Sequence, residues 1–406
     1  MTARVRGLHR TVVLLASTHF LVDGYGNIFA PLLPLLILQL DLSLAAAGAL
    51  QMLYQMAASV SQLGFGHIAD RWRPRVLLLV GPVVGVSILP LIGLTTNVWT
   101  LGAVLVLGGL GGAAFHPPAA ALVHRHAGER KGMAMAFHIT SGNLGQAMAP
   151  LMFAPYVQIF GLQATPWLML PALLLLATVL LPRVPSIDRL HEGTAPQGFG
   201  ALRPYARPLA LLYCIVVLRT LTALSFSTFV PVMLTRRGMS IAEAGTAASV
   251  FLIAVGAGGF VGGPFADRFG ARRLIILSLV ASVPFLAVAP MLSGWTLVAV
   301  LAVGGFLVQS TLPVNVTFAQ TIAPVSAATV SSLMMGFAWG TGGLSAPFVG
   351  MIADRIGIEQ TLTTIAFMPL VGALIALRLP TGRHLHTGAR ASEVTHSESS
   401  GTDVAP

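Results

Sequence analysis

Apolar runs of eighteen or more residues recur along the whole chain, separated by short polar stretches. A run of that length is enough for a helix to cross the hydrocarbon of a bilayer. The pattern predicts twelve spanning helices: residues 12–38, 46–68, 76–95, 99–123, 133–158 and 164–182, then 208–234, 244–266, 274–293, 296–320, 327–352 and 360–379. No separate soluble domain fits between them, so the expected fold class is an all-α membrane protein.

The runs fall into two groups of six. Residues 183–207 interrupt the pattern with Arg183, Pro185, Asp188, Arg189, Glu192, Pro196 and Gly198, and read as a polar cytoplasmic linker. They divide an N-terminal six-helix bundle, 1–182, from a C-terminal one, 208–380. The Ser-, Thr-, Glu- and Gly-rich stretch 381–406 is expected to be a disordered cytoplasmic tail. The bundles repeat each other at a shift of 197 residues. Pro34 maps to Pro231, Ser43 to Ser240, Gly48 to Gly245, Gly66 to Gly263, Gly145 to Gly342 and Pro150 to Pro347. Six crossings return the chain to the same side, so the halves are parallel repeats about an axis along the membrane normal, a form that places substrate between them near the midplane.

Composition agrees: 55% of the 406 residues are hydrophobic, 9% are charged and mean hydropathy is +0.83. The net charge of +10 changes meaning once it is placed along the chain. With alternate loops on one side, 19 of the 23 Lys and Arg fall in 4–10, 71–75, 125–131, 183–207, 268–273 and 378–390. Only Arg236, Arg237 and Arg355 fall opposite, and Arg219 lies within a helix. That is the positive-inside asymmetry, which puts both termini in the cytoplasm of a multi-pass protein of the cytoplasmic (inner) membrane. Basic charge here reports topology, and nucleic acid is excluded as a partner. The lone Cys214 rules out a disulfide framework. The first run is too long for a cleavable signal and stays as helix one.

Candidate chemistry lies where polar groups interrupt the runs. Asp23 is the only acid between Thr11 and Leu40, and a carboxylate at mid-membrane costs roughly 2.5–3.5 kcal/mol, so it has a role or a partner. At about 1.5 Å per residue it sits roughly 17 Å into its helix. His19 and Asn27, four residues to either side, share its face. This stripe is expected to face a water-filled gap between the bundles. His116 and His138, in otherwise apolar or small-residue surroundings, suit either a proton relay with Asp23 or a hydrogen-bonded packing role, and Asn143 adds a hydrogen-bonding group. Arg219 corresponds to Val22 in the repeat, one place from Asp23, and is expected to pair with it across the gap in one state or to meet an anionic part of the cargo. A zinc site from His19, His116, His138 and Asp23 suits by ligand type. No two of these histidines have metal-binding spacing on one helix, so no metal is expected.

Gly66-His67-Ile68-Ala69-Asp70-Arg71 with Arg75, and its mate Gly263-Pro264-Phe265-Ala266-Asp267-Arg268 with Arg272, follow the second and eighth runs. Glycines there allow close helix approach, and the charges are expected to latch the halves at their cytoplasmic end. This pair resembles the loop motif of the major facilitator superfamily. Nearly the whole chain resembles that family's fosmidomycin-resistance branch, through His19-Phe20-Leu21-Val22-Asp23, Phe115-His116-Pro117, Gly142-Asn143-Leu144-Gly145 with Ala149-Pro150, Ala319-Gln320, Gly336 to Gly343, and Ile352-Ala353-Asp354. Pro118 and Ala121 stand where that branch commonly carries an acid and a base, so a less ionic cargo is implied. The resemblance implies a twelve-helix, proton-driven efflux antiporter for a small organic molecule or drug. An uptake symporter for a sugar or organic acid is the alternative on the same scaffold. No nucleophile elbow, zinc-protease motif or P-loop appears, so neither an enzyme nor direct ATP drive is expected. The expected partners are substrate, protons and the bilayer, around a monomer without cofactors.

Overall fold

In a computed structural model of the chain, the described residues are 4–5, 8–71, 74–128, 130–180, 182–184, 199–323, 330 and 333–380. Helix dominates them; the departure is a two-residue antiparallel ladder, β1 (Arg4–Val5) on β2 (Leu8–His9), ahead of the first helix. Of the predicted linker 183–207, residues 185–198 lie outside the described residues, as does the predicted tail from 381, while Phe199–Tyr205 form a short 3-10 helix leading into the next long helix.

The first half holds α1 (Arg10–Gly26), α2 (Phe29–Leu40), α3 (Leu44–Ser59), α4 (Ser61–Arg71), α5 (Pro74–Ile88), α6 (Val98–His126), α7 (Lys131–Phe160) and α8 (Met169–Leu175). The second holds α9 (Ala206–Arg236), α10 (Ile241–Phe269), α11 (Ala271–Val288), α12 (Gly294–Gln309), α13 (Leu312–Ile322), α14 (Ala338–Gly343), α15 (Ala346–Ile356), α16 (Ile358–Ile365) and α17 (Met368–Ala376). Several expected spans are therefore built from two pieces. The first breaks at Asn27–Ile28, and α1 and α2 together make one apolar stretch, Arg10–Leu40.

Among the described residues, nine stretches are long and apolar enough to cross a membrane. They coincide with nine of the twelve predicted runs. The other runs are 46–68, 133–158 and 327–352, the last lying partly outside the described residues. The first two belong to helices that meet the opposite half, α3 against α15 and α7 against α10. A helix covered by protein carries polar residues such as Gln51, Gln55, His138 and Gln146 that a lipid-facing helix would not. The lipid-facing surface is apolar: Leu38, Trp99, Ile159 and Phe260 are among its exposed large side chains.

The repeated residues now acquire causes. Ser43 and Ser240 are the N-caps of α3 and α10, their hydroxyls accepting from the Ala46 and Glu243 amides at 3.0 and 3.2 Å. Gly48 and Gly245 lie one turn further on and touch the other half's proline segment. A Cβ at Gly48 would run into the Ala346 carbonyl and lie 2.9 Å from the Pro347 nitrogen; one at Gly245 would lie 2.8 Å from the Pro150 carbonyl. The shift of 197 thus relates two crossings between halves, each a glycine of one against a proline of the other. Gly350 repeats the close approach on α15, against the Leu44 carbonyl. Backbone-to-backbone contact of this kind is how membrane helices gain packing without a hydrophobic drive.

Because the obstacle at Gly48 is backbone, it cannot swing aside. Gly48→Ala is expected to destabilise the protein by about 1–3 kcal/mol, the usual cost of overpacking, read as a lower melting temperature in detergent. Gly263→Ala, where an added Cβ meets nothing within 4 Å, is expected to leave melting unchanged or raise it. Equal losses in both would contradict the crossing.

Candidate functional site

The stripe predicted on α1 exists, and it meets a second stripe on α7. His138, Gly142 and Gln146 are spaced by four residues on α7, as His19, Asp23 and Asn27 are along α1. The two helices pack along their length. His19 Nδ1 lies 2.8 Å from the His138 carbonyl, Gln146 Nε2 donates to Asp23 Oδ2 at 3.0 Å, and Asn27 Nδ2 donates to the Gln146 carbonyl at 2.9 Å. The Ser141 hydroxyl ties α7 to the Ala16 carbonyl at 2.7 Å.

One of these bonds has its origin further down α7. Pro150 has no N–H, so the Gln146 carbonyl four residues earlier lacks its helical donor. Asn27, just past the end of α1, supplies one. Asn27 therefore seals the helix and does not itself reach the carboxylate.

Asp23 has polar partners on three sides. Its Oδ2 lies 3.3 Å from His19 Nε2 and its Oδ1 lies 3.4 Å from His116 Nε2 on α6. The carboxylate is 12% exposed and the His116 side chain 23%. A void of about 20 Å³ adjoins Asp23, His116, Tyr54 and Gly112, room for a water molecule. Phe115 and the ring of His138 wall the other side of His19, with centroids 6.1 and 4.3 Å away.

The proton inventory follows from one bond. A carbonyl only accepts, so His19 Nδ1 carries a hydrogen toward His138. In neutral His19 the lone pair of Nε2 would then face Oδ2 of Asp23. A negative carboxylate against a lone pair at 3.3 Å is repulsive, so a proton belongs on that edge, on the imidazole or on the acid. His116 can donate on the other edge as the neutral Nε2–H tautomer.

The three ligand atoms of His19, Asp23 and His116 lie within 4.8 Å of one another, so the types and spread admit a metal ion. The shared-proton geometry already accounts for them. His138 adds no ligand atom to the group; its ring Nδ1 is buried without a partner among the described residues, and its working contact is its backbone carbonyl.

The family model of the Major Facilitator Superfamily matches residues 15–241 and 211–401. The chain belongs to the major facilitator superfamily. It is 29% identical over 397 residues to the fosmidomycin resistance protein of Escherichia coli (strain K12), covering 94% of this chain and 96% of that one. It is 30% identical over 390 residues to the uncharacterized MFS-type transporter YfnC of Bacillus subtilis (strain 168), covering 92% and 93%. Two solved structures share the fold. The nucleoside transporter NupG matches with a TM-score of 0.73 at 15% identity, over 91% of this chain and 99% of that one. A bacterial homologue of the human lysosomal transporter Spinster, inward-facing and occupied, matches with 0.74 at 17%, over 90% and 95%. This facilitator is therefore a multi-pass membrane transporter and not an enzyme.

Within the facilitator, one expectation needs correction and two contacts are absent among the described residues. The Asp23 cluster draws on α1, α6 and α7 alone, and its void is lined by the first half alone, so it lies inside the N-terminal bundle and not in a gap between bundles. Arg219 does not meet Asp23. It is 1% exposed on α9, donates to Gln309 and, at 3.1 Å, to Thr220, and lies 5.8 Å from the Trp339 ring centroid. Thr220, not Arg219, occupies the position equivalent to Asp23, and one step on a helix turns a side chain by about 100°. Asn143 is half-buried and makes no hydrogen bond among the described residues.

Of the expected cytoplasmic latch, the side chains of Asp70 and Arg71 lie outside the described residues. Among the described residues Asp267 is exposed without an ion-pair partner, Arg268 lies over Phe269, and Arg75 is exposed. Arg272 donates to the Ala376 and Leu377 carbonyls of its own half. Gly66 and Gly263 do not mediate tight crossings: an added Cβ at Gly66 would lie an ordinary 3.7 Å from Pro117.

Gly142 and Gln146 carry more of the site than their residue types announced. A Cβ at Gly142 would lie 2.5 Å from His19 Nε2 and 2.7 Å from Asp23 Oδ2. The spacing of four from His138 was the available signal. Gly142→Ala is expected to part the imidazole from the carboxylate, lowering transport on the order of tenfold and stability by about 1–3 kcal/mol, with the protein still reaching the membrane. Transport at the parental rate would show that the pair need not touch.

Proposed function

We propose that this facilitator is a proton-coupled secondary transporter that exports a small organic molecule by alternating access, crossing the inner membrane twelve times as a monomer with both termini in the cytoplasm. The observation that carries the reading is the His19–Asp23 edge. The His138 carbonyl fixes the imidazole tautomer, so the edge must hold one proton, and losing it leaves a carboxylate facing a lone pair inside the bundle.

Exchange of that proton changes the charge of a buried group, which biases one arrangement of the helices around it over another. A membrane potential of 100 mV supplies about 2.3 kcal/mol per charge moved, enough to drive cargo against a gradient. Asp23 with His19 and His116 would take up a proton from the outside and release it to the cytoplasm, with Gln146 and Asn27 holding the frame. Efflux of a drug-like molecule is supported by the likeness to the fosmidomycin resistance protein along nearly the whole chain.

Asp23→Asn keeps the size and hydrogen-bonding capacity of the acid and removes the exchangeable charge. In proteoliposomes with an imposed proton gradient it is expected to abolish uphill movement of cargo while energy-independent counterflow persists. Undiminished uphill transport would overturn the coupling role.

A further inference from the structure

The halves meet at the end where α3, α10 and α15 turn around, opposite the Lys- and Arg-rich loops. There, Asp354 at the end of α15 reaches across to the first turn of α3. Its Oδ1 accepts from the Leu44 amide and its Oδ2 from the Ala45 amide, each at 2.9 Å. The third amide of that turn, Ala46, is satisfied locally by Ser43 at 3.0 Å. The first turn of α3 is therefore capped half by its own serine and half by a carboxylate from the other bundle.

The repeat shows how unusual this division is. On α10 the equivalent turn is self-sufficient: Glu243 Oε2 accepts from the Ser240 amide at 2.8 Å, and Ser240 Oγ accepts from the Glu243 amide. From across the joint it receives only a neutral contact, Gln158 Oε1 accepting from Ala242 at 3.0 Å. The residue equivalent to Glu243 on α3 is Ala46, which has no charge to offer. One repeat keeps its capping acid at home; the other takes it from its neighbour.

We propose that Asp354 is the breakable tie that holds this end of the transporter closed, a positioning residue for transport that never touches cargo. The attraction between a carboxylate and a helix N-terminus acts only within the first turn, so the tie is lost once the halves part. Asp354 is exposed, which leaves water free to take over its bonds at that moment. It also makes the tie weak enough to release in every cycle. The backbone crossings of Gly48 and Gly350 alongside supply the close fit, and Asp354 supplies the charge. The inference rests on alternating access but not on Asp23 or on protons.

The test reads the joint directly. In a Cys214→Ser background, Ala346→Cys places a thiol in the joint, where Ala346 is 3% exposed. It is labelled with a membrane-impermeant maleimide in right-side-out and inside-out vesicles. Adding Asp354→Ala is expected to raise labelling from the right-side-out face roughly fivefold, the size of a helix-terminus charge interaction. Gln158→Ala, whose turn keeps Glu243, is expected to change it less than twofold. Ala46→Glu combined with Asp354→Ala gives α3 its own capping acid, so melting is expected to recover while labelling stays fast.

Labelling of Asp354→Ala at the parental rate from both faces would overturn the tie. So would a return to the parental rate in the Ala46→Glu combination, since the carboxylate would then serve only the helix it caps. Labelling that rises from the inside-out face alone would reject the closing of the outer end. Should transport fail to depend on protons while labelling behaves as expected, the coupling proposal falls and the tie stands.

Discussion

A carboxylate inside a helical bundle must be surrounded by donors, and the first half of this transporter is arranged around meeting that demand. Asp23 draws on α1 for His19, on α6 for His116 and on α7 for Gln146. Two of these groups are in turn fixed by something behind them. His19 is held by a carbonyl, and Gln146 by a backbone whose own carbonyl is answered by Asn27. Removal of one member leaves another with an unmet bond in a low dielectric, where such a group costs about 1–3 kcal/mol. Gly142 is small because the imidazole and carboxylate occupy the space its side chain would take. Burial, tautomer and glycine are one constraint seen from three sides.

The second constraint is geometric. The halves approach each other backbone to backbone at one end, through Gly48 and Gly350 on one seam and Gly245 on the other. At the other end, in the second copy of the loop motif, Asp267 makes no ion pair among the described residues and Gly263 faces open space. Close backbone approach is thus found at the glycine–proline seams and not at Gly66 or Gly263.

Much of this was legible in the residues, for physical reasons that differ from case to case. Span positions follow from hydropathy, which acts over twenty residues at a time and tolerates breaks such as Asn27–Ile28. The shift of 197 predicted which residues are equivalent, and the N-caps Ser43 and Ser240 and the glycine crossings bear that out. The stripe of His19, Asp23 and Asn27 needed only the helical period. What periodicity cannot supply is the identity of the facing helix. Depth alone paired Arg219 with Asp23, yet equal depth in symmetry-related helices places two groups in separate bundles, and Gln309 lay nearer. The latch was sought among charges of the cytoplasmic loops, where basic residues are abundant for reasons of topology. The engaged carboxylate is instead Asp354, whose partner is a pair of backbone amides. Amides carry no letter in a sequence.

Site and seam share one helix. The α7 helix bears Gln146 against Asp23, and one turn on it bears Pro150 against Gly245. Its Leu151 amide donates to Ser249 of the second half at 3.1 Å, and Gln158 reaches Ala242 near its end. From Gln146 to Gln158 is twelve residues, about 18 Å of continuous helix. Pro150 is the hinge point of this arrangement in a literal sense: lacking an N–H, it frees the carbonyl that Asn27 takes up inside the first half, and its own carbonyl is what Gly245 of the second half rests upon. The helix that packs along α1 and holds Asp23 is therefore also the helix that forms one of the two seams. The other seam, α3 against α15, carries the charge of Asp354, and its α3 brings Tyr54 to the void beside Asp23. The two seams thus differ in what joins them: one shares its helix with the bonds to the buried acid, and the other has a carboxylate of one half on the backbone amides of the other.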